Sequence, residues 1–534
     1  MGSRKKLPPI HPVSFAIFPI LFLYSQNKGE LLPGELLVPI IGVAILTLLF
    51  TGLWFLLSFV LKSKEKAAFL TSALIFLFYS YGHFYSLIKG FGIHLGSVVF
   101  GENKILYVSY TLVLLALGYF LFRTKRGLGR LTTFVNLVAL SLVLISIIDI
   151  IPYEIAARRN AVSYPASTEE DEPENIPLKE GPLPDIYYII LDGYARNDTL
   201  KKLFNYDNSE FTEYLEENGF YVTSKSNSNY ALTTLSLASA LRMDYLNRPA
   251  DALEAKTKSI MAPLSMIEDG DKVVPLLKSY GYKFINLSSG WWPTETNKNA
   301  DINLGASYFL KVRDKSLTLS EFSIIFLRTT ALKPFLEPQI ADSVRWRFLY
   351  SFEEITKIPN MREPTFTFAH YNMPHPPYLF DRDGNPVPKA ELQLAGGAFE
   401  DREHYLDQLI FASKKAKEIV DAILSKSENP PIIIIQADHG SPSLLGSPQK
   451  WASRISENAI RERMAILNAY YLPHGGDVFL YDSITPVNTF RLIFNFYFGA
   501  NYELLPDETY FSYYPARGEP VELIDVTEIV NPYQ

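Results

Sequence analysis

Five apolar stretches precede residue 152, and they constrain the fold of this chain more than any other feature. They run approximately over residues 13–24, 36–61, 67–88, 105–122 and 131–151. A helix of about 20 mainly apolar residues crosses the hydrocarbon layer of a membrane, and the last four stretches qualify. The first is shorter and contains prolines, so a signal peptide is the alternative there, although no small-residue cleavage site is evident near Ser25. We therefore predict five transmembrane helices.

The basic residues between these stretches predict the orientation of the helices. Loops that are rich in Lys and Arg stay on the cytoplasmic side of a membrane. Three such clusters alternate with loops that carry few basic residues. The clusters are Arg4, Lys5 and Lys6; Lys62, Lys64 and Lys66; and Arg123, Lys125, Arg126 and Arg130. We expect a multi-pass protein of the cell (plasma or inner) membrane, with a cytoplasmic N-terminus and an extracytoplasmic C-terminal part.

The remaining sequence divides into a linker and a globular domain. Residues 156–184 are acidic and proline-rich, a composition that buries no core. Beyond them, apolar runs at 186–191, 284–287, 365–369, 432–435 and 464–472 predict strands, and residues 404–425 predict a long amphipathic helix. Short apolar strands between helices are typical of a parallel sheet that is covered on both faces.

These patterns together predict an α/β fold with three parts. They are a five-helix transmembrane domain (1–155), an acidic linker (156–184) and an extracytoplasmic domain (185–534) with a mostly parallel central sheet covered by helices.

The composition excludes several kinds of site. The chain has no cysteine, which rules out disulfides, thiolate metal sites and thiol nucleophiles. The formal net charge of −7 and the lack of a basic stripe with interleaved aromatic residues argue against nucleic acid as a partner.

Polar clusters follow three of the predicted strands directly. Asp192 follows the first strand, His370 and His375 follow the strand at 365–369, and Asp438 with His439 follows the strand at 432–435. The carboxyl ends of parallel strands meet at one edge of a sheet, where active sites gather. Carboxylates and imidazoles suit zinc, manganese or magnesium. A single Asp at such a place is more often a helix cap, but three clusters in a chain with only 8 His predict a metal site.

A further segment, residues 229–241, is typical of a loop that enters a helix, and it carries Thr233 and Thr234. Hydroxyl groups at a helix start are usually N-caps. The same position also favours a phosphate group, because the N–H groups and the helix dipole point towards it. A metal ion in contact with the hydroxyl would make it a stronger nucleophile.

The order of these motifs resembles the alkaline phosphatase superfamily in its sulfatase-like branch. The motifs are Asp-Gly, Thr-x-x-Ser, His-Pro-Pro-Tyr and Asp-His-Gly, and with five helices ahead of them the chain is similar to lipoteichoic acid synthase and the lipid A phosphoethanolamine transferases. The resemblance implies that Asp192, Asp438 and His439 bind one divalent metal ion (zinc, manganese or magnesium). It also implies that Thr233 is both a ligand and the nucleophile. Those transferases generally carry Glu in place of Asp192.

The resemblance extends to the substrate side of the site. His375 matches a histidine that would bind a phosphate oxygen or protonate the leaving group. His370 is a second substrate-binding candidate, with a buried core histidine or a partner of a metal ligand as the alternatives. Thr233 is preferred over Thr234 because Ser236 follows it at the superfamily's spacing, and Thr234 remains the alternative nucleophile.

The implied reaction is the transfer of a phosphate-bearing headgroup, of glycerophosphate or phosphoethanolamine type, from a membrane phospholipid to an envelope glycan or lipid through a phospho-threonine. The alternatives are a phosphodiesterase or phosphatase that uses water, and a non-enzymatic envelope scaffold. Sulfate ester hydrolysis is disfavoured, because Leu235 and Leu237 occupy the positions of a sulfatase motif's proline and arginine.

Overall fold

The computed structural model describes residues 8–27, 36–95, 98–161, 183–247, 261–270, 272–306, 308–312, 315–388, 397–447, 451, 455–513 and 521–531. The chain forms two compact units. The first comprises Met1–Glu170 and Tyr308–Ile340, and the second comprises Asp171–Ser307 and Ala341–Gln534. The predicted linker, 156–184, lies largely outside the described residues, and the predicted domain boundaries stay predictions.

The helices follow one another along the whole chain. They are α1 (His11–Asn27), α2 (Leu37–Val60), α3 (Lys64–Ile88), α4 (Glu102–Arg123), α5 (Gly129–Ala161), α6 (Asn197–Phe204), α7 (Ser209–Glu217), α8 (Thr233–Arg242), α9 (Met261–Asp269), α10 (Val273–Ser279), α11 (Trp292–Glu295), α12 (Glu321–Thr329), α13 (Lys333–Ile355), α14 (Arg402–Lys426), α15 (Glu457–Met464), α16 (Pro486–Phe498) and α17 (Thr527–Val530). Short 3₁₀ helices lie at Ile358–Asn360, Gly397–Glu400 and Pro473–Phe479.

The first unit contains the apolar helices α1–α5. Within the described part of the chain, α2 to α5 are the four helices that are long and apolar enough to cross a membrane. Large side chains such as Leu48, Leu115 and Ile148 are exposed on them, as expected of helices that are solvated by lipid. Helix α1 has 17 residues with Pro19 inside. The predicted count of five transmembrane helices is therefore not confirmed, because α1 is not among the four.

The strands belong to four sheets in the described residues. They are β1 (Ile93–Leu95), β2 (Val98–Phe100), β3 (Ile186–Leu191), β4 (Tyr221–Val222), β5 (Lys283–Leu287), β6 (Ile302–Leu304), β7 (Tyr308–Val312), β8 (Lys315–Leu319), β9 (Thr365–Tyr371), β10 (Ile432–Gln436), β11 (Asn468–Tyr471), β12 (Tyr510–Phe511) and β13 (Ile524–Asp525). The main sheet has the order β4-β11-β10-β3-β9-β5-β6, and the pairs β1-β2, β7-β8 and β12-β13 form small antiparallel sheets.

The main sheet is mostly parallel, as predicted. Strands β10, β3, β9, β5 and β6 are parallel neighbours, whereas β11 and β4 add an antiparallel edge. Every residue of β3, β9 and β10 is buried. On one face, side chains such as Tyr188, Ile434 and Phe366 form a hydrophobic core with residues of α8, α15 and α16. Continuous burial on both faces explains why these strands are apolar without alternation.

Candidate active site

Three adjacent parallel strands bring the predicted residues to one edge of the sheet. Asp192 directly follows β3, and His370 lies in β9, opposite Ile190. Asp438 and His439 follow β10, whose last residue, Gln436, also lies opposite Ile190. The backbone ladder extends by one residue beyond β3, since Asp192 N donates to Tyr371 O at 3.0 Å. All four side chains are buried at the carboxyl ends of their strands.

The polar atoms of these side chains converge as metal ligands do. Asp192 Oδ1, His370 Nε2 and Asp438 Oδ2 are buried without a hydrogen-bond partner, and ligand atoms of these three residues lie within 4.8 Å of one another. His439 Nε2 lies 3.2 Å from Asp438 Oδ2 and 3.6 Å from Asp192 Oδ1. Tetrahedral ligands at about 2.0–2.1 Å from a zinc ion are separated by about 3.3 Å. The arrangement therefore fits a divalent cation.

Hydrogen bonds orient the ligand atoms towards this point. Asp438 Oδ1 accepts from Gly193 N (3.0 Å) and from His439 N (2.9 Å), which leaves Oδ2 facing the site. His439 Nδ1 lies 3.1 Å from Gly440 O. Because a carbonyl oxygen only accepts, Nδ1 carries the proton and Nε2 presents its lone pair. Gly193 has φ +76°, a left-handed conformation that favours glycine.

The electrostatics of the site also call for a cation. Burial, and then the Asp192 carboxylate, raise the pKa of Asp438 to about 7. Burial raises the pKa of Asp192 as well, but His375, His370 and His439 outweigh it and hold that pKa below its ordinary value. Two carboxylates that share one buried site repel each other unless a proton or a cation lies between them.

His370 lies within the ligand group, with its Nε2 3.6 Å from Asp192 Oδ2. The sequence made it a substrate-binding candidate, with a buried core histidine or a partner of a metal ligand as the alternatives, and its substrate role stays a prediction. Its Nδ1 contacts Thr294 Oγ1 at 2.9 Å, and Thr294 Oγ1 in turn lies 2.6 Å from Ser289 Oγ. The Trp291 ring packs edge-on against the imidazole, with centroids 5.7 Å apart. Such contacts fix the orientation of the imidazole ring.

Thr233 lies at the first position of α8 and reaches the same group. Its Oγ1 is 3.0 Å from His439 Nε2. Thr233 is half-buried, whereas Thr234 is 6% exposed and turned into the fold. Of the two candidate hydroxyls, the structure brings that of Thr233 to the ligand group.

His375 lies beside this group on the loop after β9. Its backbone N donates to Asp192 O at 3.0 Å, and its Nδ1 lies 2.6 Å from Pro376 O. The carbonyl again requires a proton on Nδ1, so Nε2 is the nitrogen that exchanges protons with a ligand. The ring is partly exposed and packs edge-on against Phe399.

Arg463 is a residue of the site that the sequence analysis missed. It is 5% exposed, and its guanidinium donates to Ala231 O (2.8 Å) and to Gly440 O (3.1 Å). It thereby joins the loop before Thr233 to the loop after His439. Burial lowers its pKa to about 10, and the Asp438 and Asp192 carboxylates oppose that shift. In the sequence it lies in an ordinary charged helix, which gives no signal of burial.

Solved structures of two named proteins are similar to this chain. The C-terminal periplasmic domain of EptC from Escherichia coli, in complex with zinc, is similar over 66% of this chain and 95% of its own, with 13% identity and a TM-score of 0.43. EptA from Neisseria meningitidis, an integral membrane lipooligosaccharide phosphoethanolamine transferase, is similar over 91% of this chain and 95% of its own, with 12% identity and a TM-score of 0.38.

A sulfatase-like protein is similar as well. The sulfatase candidate yidJ from Bacteroides fragilis is similar over 64% of this chain and 83% of its own, with 12% identity and a TM-score of 0.35. No family model and no curated protein matches the sequence.

Proposed function

We propose that this protein is a metal-dependent phosphoryl-group transferase of the cell membrane. It moves the phosphate-bearing headgroup of a phospholipid to a hydroxyl of an envelope glycan or lipid through a phosphate ester on Thr233. The observation that carries the proposal is the position of Thr233 Oγ1, 3.0 Å from His439 Nε2, beside three buried ligand atoms that have no hydrogen-bond partner.

The residues that would hold the metal ion are Asp192, Asp438 and His439, together with His370 and Thr233. A divalent cation held there would offset the charge of the two carboxylates and would lower the pKa of a hydroxyl bound to it. The donor set of carboxylate and imidazole suits zinc or manganese.

Thr233 is placed to attack a phosphate group. The first N–H groups of a helix have no partner inside the helix, so the start of α8 offers donors and a favourable dipole to phosphate oxygens. Thr233 is half-buried, and its hydroxyl proton can leave to water. As its oxygen bonds to phosphorus, the bond between phosphorus and the diacylglycerol oxygen breaks.

His375 handles the proton on the other side of the reaction. In its imidazolium form, with protons on both nitrogens, it gives the Nε2 proton to the diacylglycerol oxygen as that group leaves. In the second step, the acceptor hydroxyl attacks the phosphate on Thr233 and returns a proton to His375. The bond between phosphorus and Thr233 then breaks, and the hydroxyl is restored by a proton from water.

The test is the intact mass of the purified protein after incubation with phospholipid vesicles. The expected result is an adduct on the peptide with Thr233, whose mass identifies the headgroup. Thr233→Ala should abolish the adduct, and the matched variant Thr234→Ala should keep it. An adduct that survives Thr233→Ala would contradict this assignment of the nucleophile.

Donor turnover separates transfer from hydrolysis. We expect diacylglycerol release to rise several-fold when an acceptor glycan or glycolipid is added, because water is then replaced by a bound hydroxyl. Release at the full rate in water alone would identify a phosphodiesterase that uses the same residues.

A further inference from the structure

A short segment from the C-terminal part of the sequence packs among the apolar helices. Residues 322–337, called the inserted segment below, belong to the same compact unit as α1–α5. Phe322 and Phe326 of α12 are 1% and 3% exposed. They share a hydrophobic cluster with residues of three apolar helices, namely Ala16 and Ile20 of α1, Val43 of α2, and Ile75 and Tyr79 of α3.

The contacts between the inserted segment and α3 are close. The rings of Phe326 and Tyr79 have centroids 5.7 Å apart. Ala331 N donates to Phe78 O at 2.8 Å, so the two backbones are directly hydrogen-bonded. A Cβ at Gly82 would lie 2.3 Å from Arg328 O, and only glycine permits this approach. The segment is therefore fitted into the helices and does not merely lie against them.

The depth of these contacts follows from helix geometry. Tyr79 lies nine positions before Ile88, the last residue of α3, which corresponds to about 14 Å along the axis. Helix α3 has 25 residues and is about 37 Å long, only about 7 Å more than a hydrocarbon layer of about 30 Å. The contact between Phe326 and Tyr79 therefore lies inside that layer.

The charged residues of the segment lie at a shallower level. Lys333 Nζ is 3.7 Å from the ring centroid of Tyr85, which lies only three positions before the end of α3. Glu337 accepts from Arg328 Nη2 at 2.8 Å and lies 3.9 Å from Lys333 Nζ. Paired charges and tyrosines are typical of the membrane–water interface, and deeper positions are costly for charges. Along α3, the contacts of the segment thus change from apolar at depth to charged near the helix end, as they would in one leaflet of a bilayer.

The outer side of the inserted segment is apolar. Ile325, Leu332 and Phe335 are 40%, 38% and 64% exposed. Leu87 of α3, near the same helix end, is 79% exposed. The loop that follows α3 carries few basic residues, which marks the extracytoplasmic side.

We propose that the inserted segment is embedded in the extracytoplasmic leaflet, where Ile325, Leu332 and Phe335 contact phospholipid acyl chains. The lipid contact is thus made by a part of the chain that lies about 160 positions beyond the last apolar helix. This inference concerns an interaction surface, and it does not depend on the proposed reaction.

The test uses single cysteines in the full chain, which has no cysteine of its own. Ile325→Cys, Leu332→Cys and Phe335→Cys are labelled with bimane, and the proteins are reconstituted in phosphatidylcholine vesicles that contain a lipid with a nitroxide on its acyl chain. Leu115→Cys on α4, 64% exposed, is the lipid-facing reference, and Val478→Cys, 73% exposed in the other unit, is the water-facing reference.

The expected result is nitroxide quenching at 325, 332 and 335 at least half as strong as at 115, with little quenching at 478. Quenching by iodide in the buffer should be strong at 478 and weak at 115, 325, 332 and 335. The three replaced side chains are exposed, so the variants should keep the thermal midpoint of the parent, and that midpoint shows that the fold is intact. Quenching at 325 and 335 no greater than at 478, in variants with an unchanged midpoint, would overturn the proposal, whether water or another protein covers the segment.

Discussion

Arg463 shows how one buried charge can organise several loops. Its guanidinium holds the carbonyls of Ala231 and Gly440, and so it fixes the distance between the loop of Thr233 and the loop of Asp438 and His439. It also stacks on the ring of Trp451, with 5.1 Å from Cζ to the centroid. Because its guanidinium donates to the carbonyls of two loops, Arg463 is a positioning residue.

We expect Arg463→Met to lower both stability and turnover. The substitution leaves the carbonyl of Ala231 without the guanidinium donor, at about 1–3 kcal/mol, and leaves that of Gly440 with His439 Nδ1. It also frees the Thr233 loop to move. Turnover of a fluorescent phospholipid should fall at least tenfold, mainly in kcat, and the thermal midpoint should fall as well. Arg461→Met is the matched control on the same helix, because Arg461 is 37% exposed and bonds to Ile529 O outside the site. Equal effects of the two substitutions would contradict the positioning role.

The sequence named some of the residues that the structure brings together and not others, for physical reasons. Asp192, Asp438 and His439 could be named from the sequence because they directly follow apolar strands. Polar side chains of a parallel sheet gather at the strand ends. His370 was a substrate-binding candidate, with a core histidine or a partner of a metal ligand as the alternatives, because nothing in a sequence tells which way a side chain at a strand end turns. Arg463 gave no signal, since a charge that is buried by tertiary contacts looks like any surface charge on a helix.

At the level of elements, the loop after β10 depends on a close approach that only glycine allows. A Cβ on Gly440 would lie 2.2 Å from Glu462 O and 2.6 Å from Ala465 O, both backbone atoms of the end of α15 and its exit. Gly440 N also donates to Arg463 O at 2.6 Å. The loop that carries Asp438 and His439 is therefore held against α15 by a close backbone contact and a hydrogen bond.

Gly440→Ala should disrupt this contact between the loop and α15. The added methyl group must push the loop away from backbone that does not move easily, at about 1–3 kcal/mol, and it displaces His439 from Thr233. We expect a lower thermal midpoint and nearly complete loss of turnover. Gly281→Ala provides the comparison: its Cβ meets open space but its φ of +88° is strained, so it should cost about 1–2 kcal/mol with turnover per folded molecule unchanged. Full activity of Gly440→Ala would remove the steric argument.

The helices and strands that the sequence predicted correctly are those whose sequence pattern is local. Strands β3, β9 and β10 were found because continuous apolar runs suit buried parallel strands, and the helix predicted at 404–425 is α14, Arg402–Lys426. The strand predicted at 464–472 is shorter, Asn468–Tyr471, because α15 extends to Met464. Helix α12 was not predicted as part of the apolar unit, since nine residues are too few to show a membrane-spanning pattern.

The fit between α3 and the inserted segment gives another prediction. Alanine normally stabilises a helix interior relative to glycine by about 0.5–1 kcal/mol, but at Gly82 it would clash with Arg328 O. We expect Gly82→Ala to lower the thermal midpoint in detergent and to expose residues 322–337 to protease. Gly52→Ala on α2, where a Cβ meets nothing within 4 Å, should leave the midpoint unchanged or raise it. The same response from both variants would show that the close contact is not needed.

At the scale of the whole molecule, metal binding should determine the stability of the second unit. Without a cation, the Asp192 and Asp438 carboxylates face each other in a buried site, whereas a ligand present at about 100 times its Kd stabilises the fold by about 2.7 kcal/mol. Chelation should therefore lower the thermal midpoint by several degrees and abolish turnover, and zinc or manganese should restore both. Asp438→Asn removes one carboxylate, so its midpoint should respond weakly to chelator. A parent midpoint that does not change on chelation would contradict a structural contribution of the metal.

The orientation of the chain in the membrane can be tested on the same cysteine-free background. The basic residues after α4 predict a cytoplasmic loop. If α5 then crosses the membrane once, the second unit is predicted to lie on the extracytoplasmic side. Val478→Cys in the second unit and Lys125→Cys after α4 are both exposed in the structure. We expect a membrane-impermeant maleimide to label the first variant in intact spheroplasts and the second only after the membrane is permeabilised. Labelling in the opposite order would invert the topology and would place the proposed phosphate chemistry on the cytoplasmic side, away from an envelope glycan as its acceptor.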